Sequence, residues 1–260
     1  SQWAMSEINE PDHWDFFPAV PTYSSAVSGT TALAGQPSDI INTIIPIGDD
    51  LLIFGGDHSI RRLTGNPAVP SSQIQLITDT IGMSFGPSWS RDAQGYVYFH
   101  SSRGGVYVMG GDGSGLRSLT EGRIQRRFES IDLANYYVEL EFNDRDQVLH
   151  VYVVPYGAGG TIVAHYRWHK PTNSWWPDKH SATTTQPTCA YMLDGDTESD
   201  RILLIGTEGG YVLKIAESAY TDDGNVIGTE CLIGPLPPMD NDDGVRTTML
   251  SANLAPDQDG

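Results

Sequence analysis

The sequence predicts an all-β fold, and three observations carry that reading. Short runs of β-branched and aromatic residues alternate with glycine-rich turns along the whole chain. The 28 glycines and 16 prolines are spread evenly, as many short strands and tight turns require. One strand-and-turn unit also recurs at a period of roughly fifty residues, and a fixed period decides architecture before any local feature does.

Residues 84–121 hold the unit in full. A first strand ends near Trp89. Gly95 ends a turn, and Tyr96–Phe99 is a run of strand length. Ser101–Gly105 reads as a hairpin connection whose glycines accept positive φ. Val106–Met109 pairs back, Gly110–Gly115 turns the chain, and Leu116–Thr120 is a shorter, more polar strand placed outermost. The result is a four-stranded antiparallel meander.

Its second strand marks the repeat at Leu51–Phe54, Tyr96–Phe99, Val148–Tyr152 and Ile202–Ile205. The spacings are about 45, 53 and 53 residues, close to one blade of a β-propeller. A further strand follows each marker, at Ser59–Leu63, Val106–Met109, Thr161–Tyr166 and Tyr211–Ile215. A fifth copy is split between the termini. Gln2–Ser6 supplies its marker and Arg246–Ser251 the strand before it, so the last strand pairs with the first and closes the ring. The expectation is therefore an all-β β-propeller of five four-stranded blades, forming a single domain over residues 1–260.

Between these strands, residues 1–18 combine a short strand with an acidic, aromatic turn at Asn9-Glu10-Pro11. Residues 24–38 are small and polar and read as a surface loop. Ile40–Ile47 is the first strand of the next blade, interrupted by Pro46, and Gly48-Asp49-Asp50 turns it. Gly122–Ile131 is the one candidate helix or irregular insert, with Ile124, Phe128 and Ile131 on one helical face. Asn135–Phe142 alternates as a strand and Asn143–Asp146 turns it. Tyr166, Trp168, Trp175 and Trp176 flank a hairpin loop at Lys170–Ser174. Packing between blades is the first reading of the tryptophans, and carbohydrate stacking the second.

The formal net charge of −18 opposes a surface that grips nucleic acid, because phosphate affinity comes from clustered Lys and Arg. No run approaches the ~18 apolar residues of a membrane helix. The N-terminus lacks a basic-then-apolar secretory pattern, although Ser1 is not an initiator methionine and leaves room for a preceding segment. Cys189 and Cys231 lie outside metal-ligand spacings and read as buried reduced thiols, with a disulfide as the alternative.

Four stretches carry residue types that do chemistry. Gly82–Gly86 fits the G-x-S-x-G pattern around Ser84, but Pro87 and Ser88-Trp89-Ser90 follow where a helix must present the nucleophile. His165 and His169 stand four apart on a strand, without the glutamate of a zincin helix; His13, His58, His100, His150 and His180 are scattered. Asp194–Asp200 alternates carboxylates but lacks the glycine and terminal glutamate of a calcium loop. Asp240–Gly244 is a similar acidic loop. The sequence thus names no catalytic, cofactor-binding or metal residue and no cofactor.

Two resemblances rest on quoted residues. Ser88–Asp92, Tyr98-Phe99, Ser101–Gly105, Val106–Met109 and Asp112–Thr120 look like one TolB-type propeller repeat; the other blades lack its tryptophan-serine and aspartate-glycine signposts. More widely, the chain resembles the β-propeller region of bacteriophage tail and head–tail proteins, such as the nozzle proteins of short-tailed phages and portal-proximal plug proteins. That resemblance runs through Ser6–Trp14, Asp50–Gly55, Ser59–Gly65, Gly104–Tyr107, Arg123-Ile124, Phe128, Ile131-Asp132, Tyr166–Trp168 and Asn173–Trp176. Members of that kind often carry β-sandwich parts around the propeller; the sequence here reads as the propeller alone, whether as a domain or segment of a longer chain or as a compact relative.

The resemblance implies a non-enzymatic structural protein of a phage virion, in the tail or at the head–tail junction. It would pack against tail or portal neighbours and copies of itself in a ring, without specific nucleic-acid binding or membrane insertion. A TolB- or WD-like protein-binding scaffold is the alternative. A carbohydrate-active propeller comes third, and would need paired carboxylates at the top of a central channel.

Overall fold

The computed structural model describes residues 3–30, 34–157, 164–180, 186–197 and 200–215, and the backbone of two short strands beyond. All of them lie in one compact unit, Ser1–Ile227. The chain is all-β, built from consecutive antiparallel meanders. The first four-stranded sheet runs β3 (Ile41–Ile47), β4 (Leu51–Gly56), β5 (Ile60–Thr64) and β6 (Gln73–Thr78), preceded by a small pair, β1 (Ala4–Met5) with β2 (Val27–Ser28). The second runs β7 (Trp89–Arg91), β8 (Val97–His100), β9 (Val106–Met109) and β10 (Arg117–Ser118). After the one-turn helix α1 (Gln125–Glu129), the third runs β11 (Tyr136–Asn143), β12 (Val148–Pro155), β13 (Ala164–His169) and β14 (Ser174–Asp178). The fourth has β15 (Pro187–Leu193), β16 (Ile202–Thr207) and β17 (Val212–Lys214), and a last pair joins β18 (Thr221–Asp222) to β19 (Asn225–Val226).

Each repeat marker is the second strand of its sheet, as the period requires. The hairpin between β8 and β9 turns on Gly104 and Gly105, both at φ 89°. A Cβ on Gly104 would stand 2.7 Å from the Cα of Glu129, so this glycine also lets α1 lie against the hairpin. A five-residue helix is not stable by itself. It forms because Phe128 is buried and packs on Tyr166 and Trp175 at ring separations of 5.3 and 5.6 Å, with Ile124 and Ile131 beside it.

Three expectations change. Pro46 does not interrupt β3 but lies inside it, opposite Leu52. β3 has a partner on one side only, and proline is tolerated at an unpaired edge. Residues 24–38 are not wholly a surface loop: Ser25, Ala26 and Val27 are buried and Val27-Ser28 pairs with β1. Two residues give too short an alternation to be recognised in sequence. Cys189 is exposed rather than buried, since positions 189, 191 and 193 of β15 form its outward phase. The third strand of the third sheet is described from Ala164 to His169; residues 161–163, Cys231 and Arg246–Ser251 lie outside the described residues.

The sheets pack face to face in chain order. Ile45, Ile53 and Met83 meet Val97, Phe99 and Met109 between the first and second. Tyr98, Val106 and Val108 meet Leu140, Phe142 and Trp168 between the second and third, where Tyr98 stacks on Phe142 at 4.8 Å. Tyr152 and Val154 meet Ile205 between the third and fourth. Two tryptophans pack between sheets as expected. Trp168 is 2% exposed, and Trp175 donates its Nε1–H to the carbonyl of Leu119 at 2.9 Å, whereas Trp176 is 57% exposed.

Several hydrogen bonds between neighbouring sheets join residues at recurring offsets. Arg91 to the Pro46 carbonyl and Ser102 to the Asp57 carbonyl each span 45 positions. Ser90 to Glu141, Ala93 to Asp144, Ala190 to Glu139 and Met192 to Glu141 each span 51. Equivalent positions of successive meanders therefore face one another. Trp168→Ala removes the largest fully buried side chain from the interface between the second and third sheets; a loss of about 3–5 kcal/mol in urea unfolding is expected.

Candidate functional site

The first strands of the sheets lie beside one another without forming a ladder, and their meeting encloses a cavity of about 630 Å³. Pro46, Trp89 to Ala93, Glu139 to Phe142 and Ala190 to Met192 line it, with Asp144, Asp194 and Arg201 among the others. Side chains and one backbone carbonyl satisfy inner edge amides that no strand pairs. The Leu140 N–H donates to the Pro87 carbonyl at 3.1 Å and the Phe142 N–H to Ser90 Oγ at 2.9 Å. On the other side, the Ala190 N–H donates to Glu139 Oε1 at 3.2 Å and the Met192 N–H to Glu141 Oε1 at 2.6 Å. Ser90 Oγ donates to Glu141 Oε2 at 3.2 Å, so this one carboxylate ties three sheets together.

These acids are perturbed because they are buried. Glu139 is 5% exposed, and burial pushes its carboxyl up to about 8, against the opposing pull of the Ala190 amide. Burial also raises Glu141 and Asp144. Glu139 is therefore protonated at neutral pH, and Oε2 has no hydrogen-bond partner among the described residues. Asp92 is held differently: Tyr98 Oη donates to it at 2.9 Å and Lys170 Nζ pairs with it at 2.8 Å, the ammonium lying over the rings of Tyr96 and Phe142. Chemically, the cavity combines a neutral acid that can donate a proton with further carboxylates and two arginines, Arg91 and Arg201.

The sequence-named residues do not converge here. Ser84 is buried outside any strand, with Oγ 2.5 Å from His100 Nδ1 and also donating to the His100 carbonyl. Burial lowers His100 to about 3, so the pair is a neutral core contact with no path for a substrate. His165 and His169 part company: His165 is buried, and His169 bonds the Thr172 hydroxyl at 2.7 Å. Asp194 pairs with Arg201 at 3.1 Å and Asp200 accepts from Thr197 at 2.7 Å, an exposed turn. Asp240–Gly244 lies outside the described residues.

Two clusters escaped the sequence reading. Glu7, Glu10 and His13 gather ligand atoms within 4.8 Å of one another on an exposed turn, where His13 bonds Glu7. Deeper, His150, His165 and His180 assemble around Tyr152. Tyr152 stacks on His165 at 4.2 Å and His180 stacks on it at 5.3 Å. Burial lowers His150 to about 3 and His165 well below the usual imidazole value. The available signal was periodicity: Glu139 and Glu141, like His150 and Tyr152, sit two apart in otherwise apolar strands and so share a face.

No protein-family model and no curated protein matches the chain. Among solved structures it is similar to a GH74 enzyme from Niastella koreensis at 11% identity and TM-score 0.45, covering 68% of this chain and 29% of that one. A GH74 xyloglucanase from Xanthomonas campestris is similar at 12% and 0.41, covering 68% and 30%. The computationally designed Ika4 protein is similar at 16% and 0.37, covering 69% and 92%. The chain thus spans less than a third of either GH74 structure, and at these TM-scores none of the three bears on function.

The buried acid and the buried imidazole respond oppositely to pH. Glu139 binds its proton more tightly folded than unfolded, so its contribution is full below about 4.5 and is lost as pH rises toward 8. Glu139→Gln should gain roughly 3–5 kcal/mol relative to the parent between pH 5 and 8, read from urea midpoints. His100 is held neutral, so its cost appears as pH falls below the unfolded value of 6.5. His100→Gln should remove about 2 kcal/mol of the parent's loss between pH 6.5 and 5.

Proposed function

We propose that this chain is a non-enzymatic structural component of a phage virion, in a tail nozzle or head–tail connector, where it packs against tail or portal neighbours and copies of itself. The observation that carries the reading is the loop between β1 and β2. Trp14, Phe17, Val20 and Tyr23 stand 50, 82, 77 and 66% exposed along it. Large apolar side chains concentrated on one exposed segment are what a partner surface covers. The same segment begins with Ser6–Trp14, one of the stretches that resemble the phage nozzle proteins. The perturbed carboxylates fit a structural role as well, since Glu139 and Glu141 are engaged in holding β15 to β11.

The proposal includes the finer architecture: a propeller of five four-stranded blades. The recurring offsets of 45 and 51 between facing residues support a repeat turned about one axis. Net charge of −18 suits a part past which DNA must slide.

A second reading, a carbohydrate-active propeller, is favoured by the protonated Glu139 beside other carboxylates in the cavity. A glycan array with a hydrolysis readout separates the two. Immunogold electron microscopy of virions should label particles at the tail or its junction, and the array should stay silent. Protein confined to cell extract, or glycan turnover abolished by Glu139→Gln, would end the structural reading.

A further inference from the structure

Imidazoles are costly to bury unless something holds their nitrogens, so the cluster between the third and fourth sheets needs a chemical reason. Register sets it up. Tyr152 lies opposite His165, and His165 opposite Asp178, in one row across β12, β13 and β14. His150 occupies the same face two residues before Tyr152, and its Nδ1 comes within 3.1 Å of His165 Nε2. Tyr152 Oη lies 3.4 Å from that same Nδ1. Behind His165, its Nδ1 stands 3.5 Å from Asp178 Oδ2, and Asp178 is itself anchored by Arg167 Nε at 3.0 Å.

At 3.5 Å the Asp178 carboxylate makes no hydrogen bond to His165, whose Nδ1 has no hydrogen-bond partner among the described residues, but its charge on that side favours the tautomer with the proton on Nδ1. With the proton on Nδ1 facing Asp178, the Nε2 lone pair of His165 points toward His150. A histidine backed by a carboxylate, with its other nitrogen aimed at a second histidine, is the arrangement that metal ligands adopt. Two nitrogens at about 2.0–2.1 Å from one tetrahedral ion stand about 3.3 Å apart, within a few tenths of an ångström of the separation here.

We propose that His150, His165 and Tyr152 form a binding site for a divalent first-row transition metal of the Zn²⁺, Ni²⁺ or Cu²⁺ type, with Asp178 orienting His165. Imidazole and phenolate donors select these ions over Mg²⁺ and Ca²⁺, which demand oxygen ligands. On coordination Tyr152 releases its phenolic proton to solvent and both imidazoles bind as neutral ligands. His180, half-buried, stacks on His165. The ion would pin β12 to β13 at the interface with the fourth sheet. The site is separate from the cavity and does not depend on the virion role.

The test uses the full chain, stripped with a chelator and dialysed. Titration with Zn²⁺ at neutral pH should give one ion bound at this site, tight enough to raise the thermal midpoint, and Co²⁺ should give visible ligand-field absorption. The double variant His150→Phe/His165→Leu fills the space with apolar groups and should lose the absorption and the midpoint shift. Should that variant fail to fold, Asp178→Asn leaves all three ligands in place and should weaken binding about 10- to 100-fold. A parent protein that gives neither a midpoint shift nor a Co²⁺ spectrum at about 100 μM metal overturns the site. So does binding that survives these changes and disappears in His13→Ala, which would assign it to the exposed Glu7, Glu10 and His13 group.

Discussion

The structure depends on satisfying the inner edges of its first strands. β7, β11 and β15 each pair with one neighbour within their own sheet, which leaves a row of amides and carbonyls facing the adjoining sheet. An unpaired backbone group shut away from water costs about as much as a lost hydrogen bond. Here the neighbouring meander supplies the partners, at recurring distances along the chain. Glu141 is the centre of this arrangement, since its two oxygens accept from Ser90 on one side and from Met192 on the other. Lateral order among the sheets thus comes from a few side chains rather than from a continuous ladder.

Using carboxylates as connectors has electrostatic consequences. A glutamate reaching across a dry interface must lose water, and a single amide does not return what hydration gave, so Glu139 holds its proton. Asp92 meets the same problem with a different solution, a lysine and a tyrosine hydroxyl brought from the third sheet and from its own. The outcome is a cavity whose acids are mostly committed to the fold, with Glu139 as the one whose second oxygen has no hydrogen-bond partner among the described residues. That division explains why the cavity lends some support to chemistry while the exposed aromatic loop lends more to assembly.

The imidazole cluster follows from the same geometry one strand further out. The face of the third sheet that turns to the fourth carries Glu139, Tyr152, His165 and Asp178 in one row. Toward the fourth sheet the row is flanked by Val154 and Ile205, so its polar atoms must find one another. Edge-to-edge contact of His150 with His165 and the stacking of Tyr152 are how they do so.

Sequence alone determined the meanders. Period, glycine punctuation and strand composition are local properties, and they located the second strand of each of the four meanders, the hairpin at Gly104-Gly105 and the short helix around Phe128. Local reasoning also read Ser84 as a strand or turn residue, because no helical period follows it, and the structure places it buried outside any strand. Tertiary structure decided the rest. Which face of a strand meets another sheet depends on register and packing between segments about fifty residues apart. Hence Glu139 and Glu141 looked like ordinary strand residues, and His150, His165 and His180 looked scattered, until folding placed them together. A side chain acquires its chemistry from desolvation and from its neighbours in space, and neither is written in the order of residues along the chain.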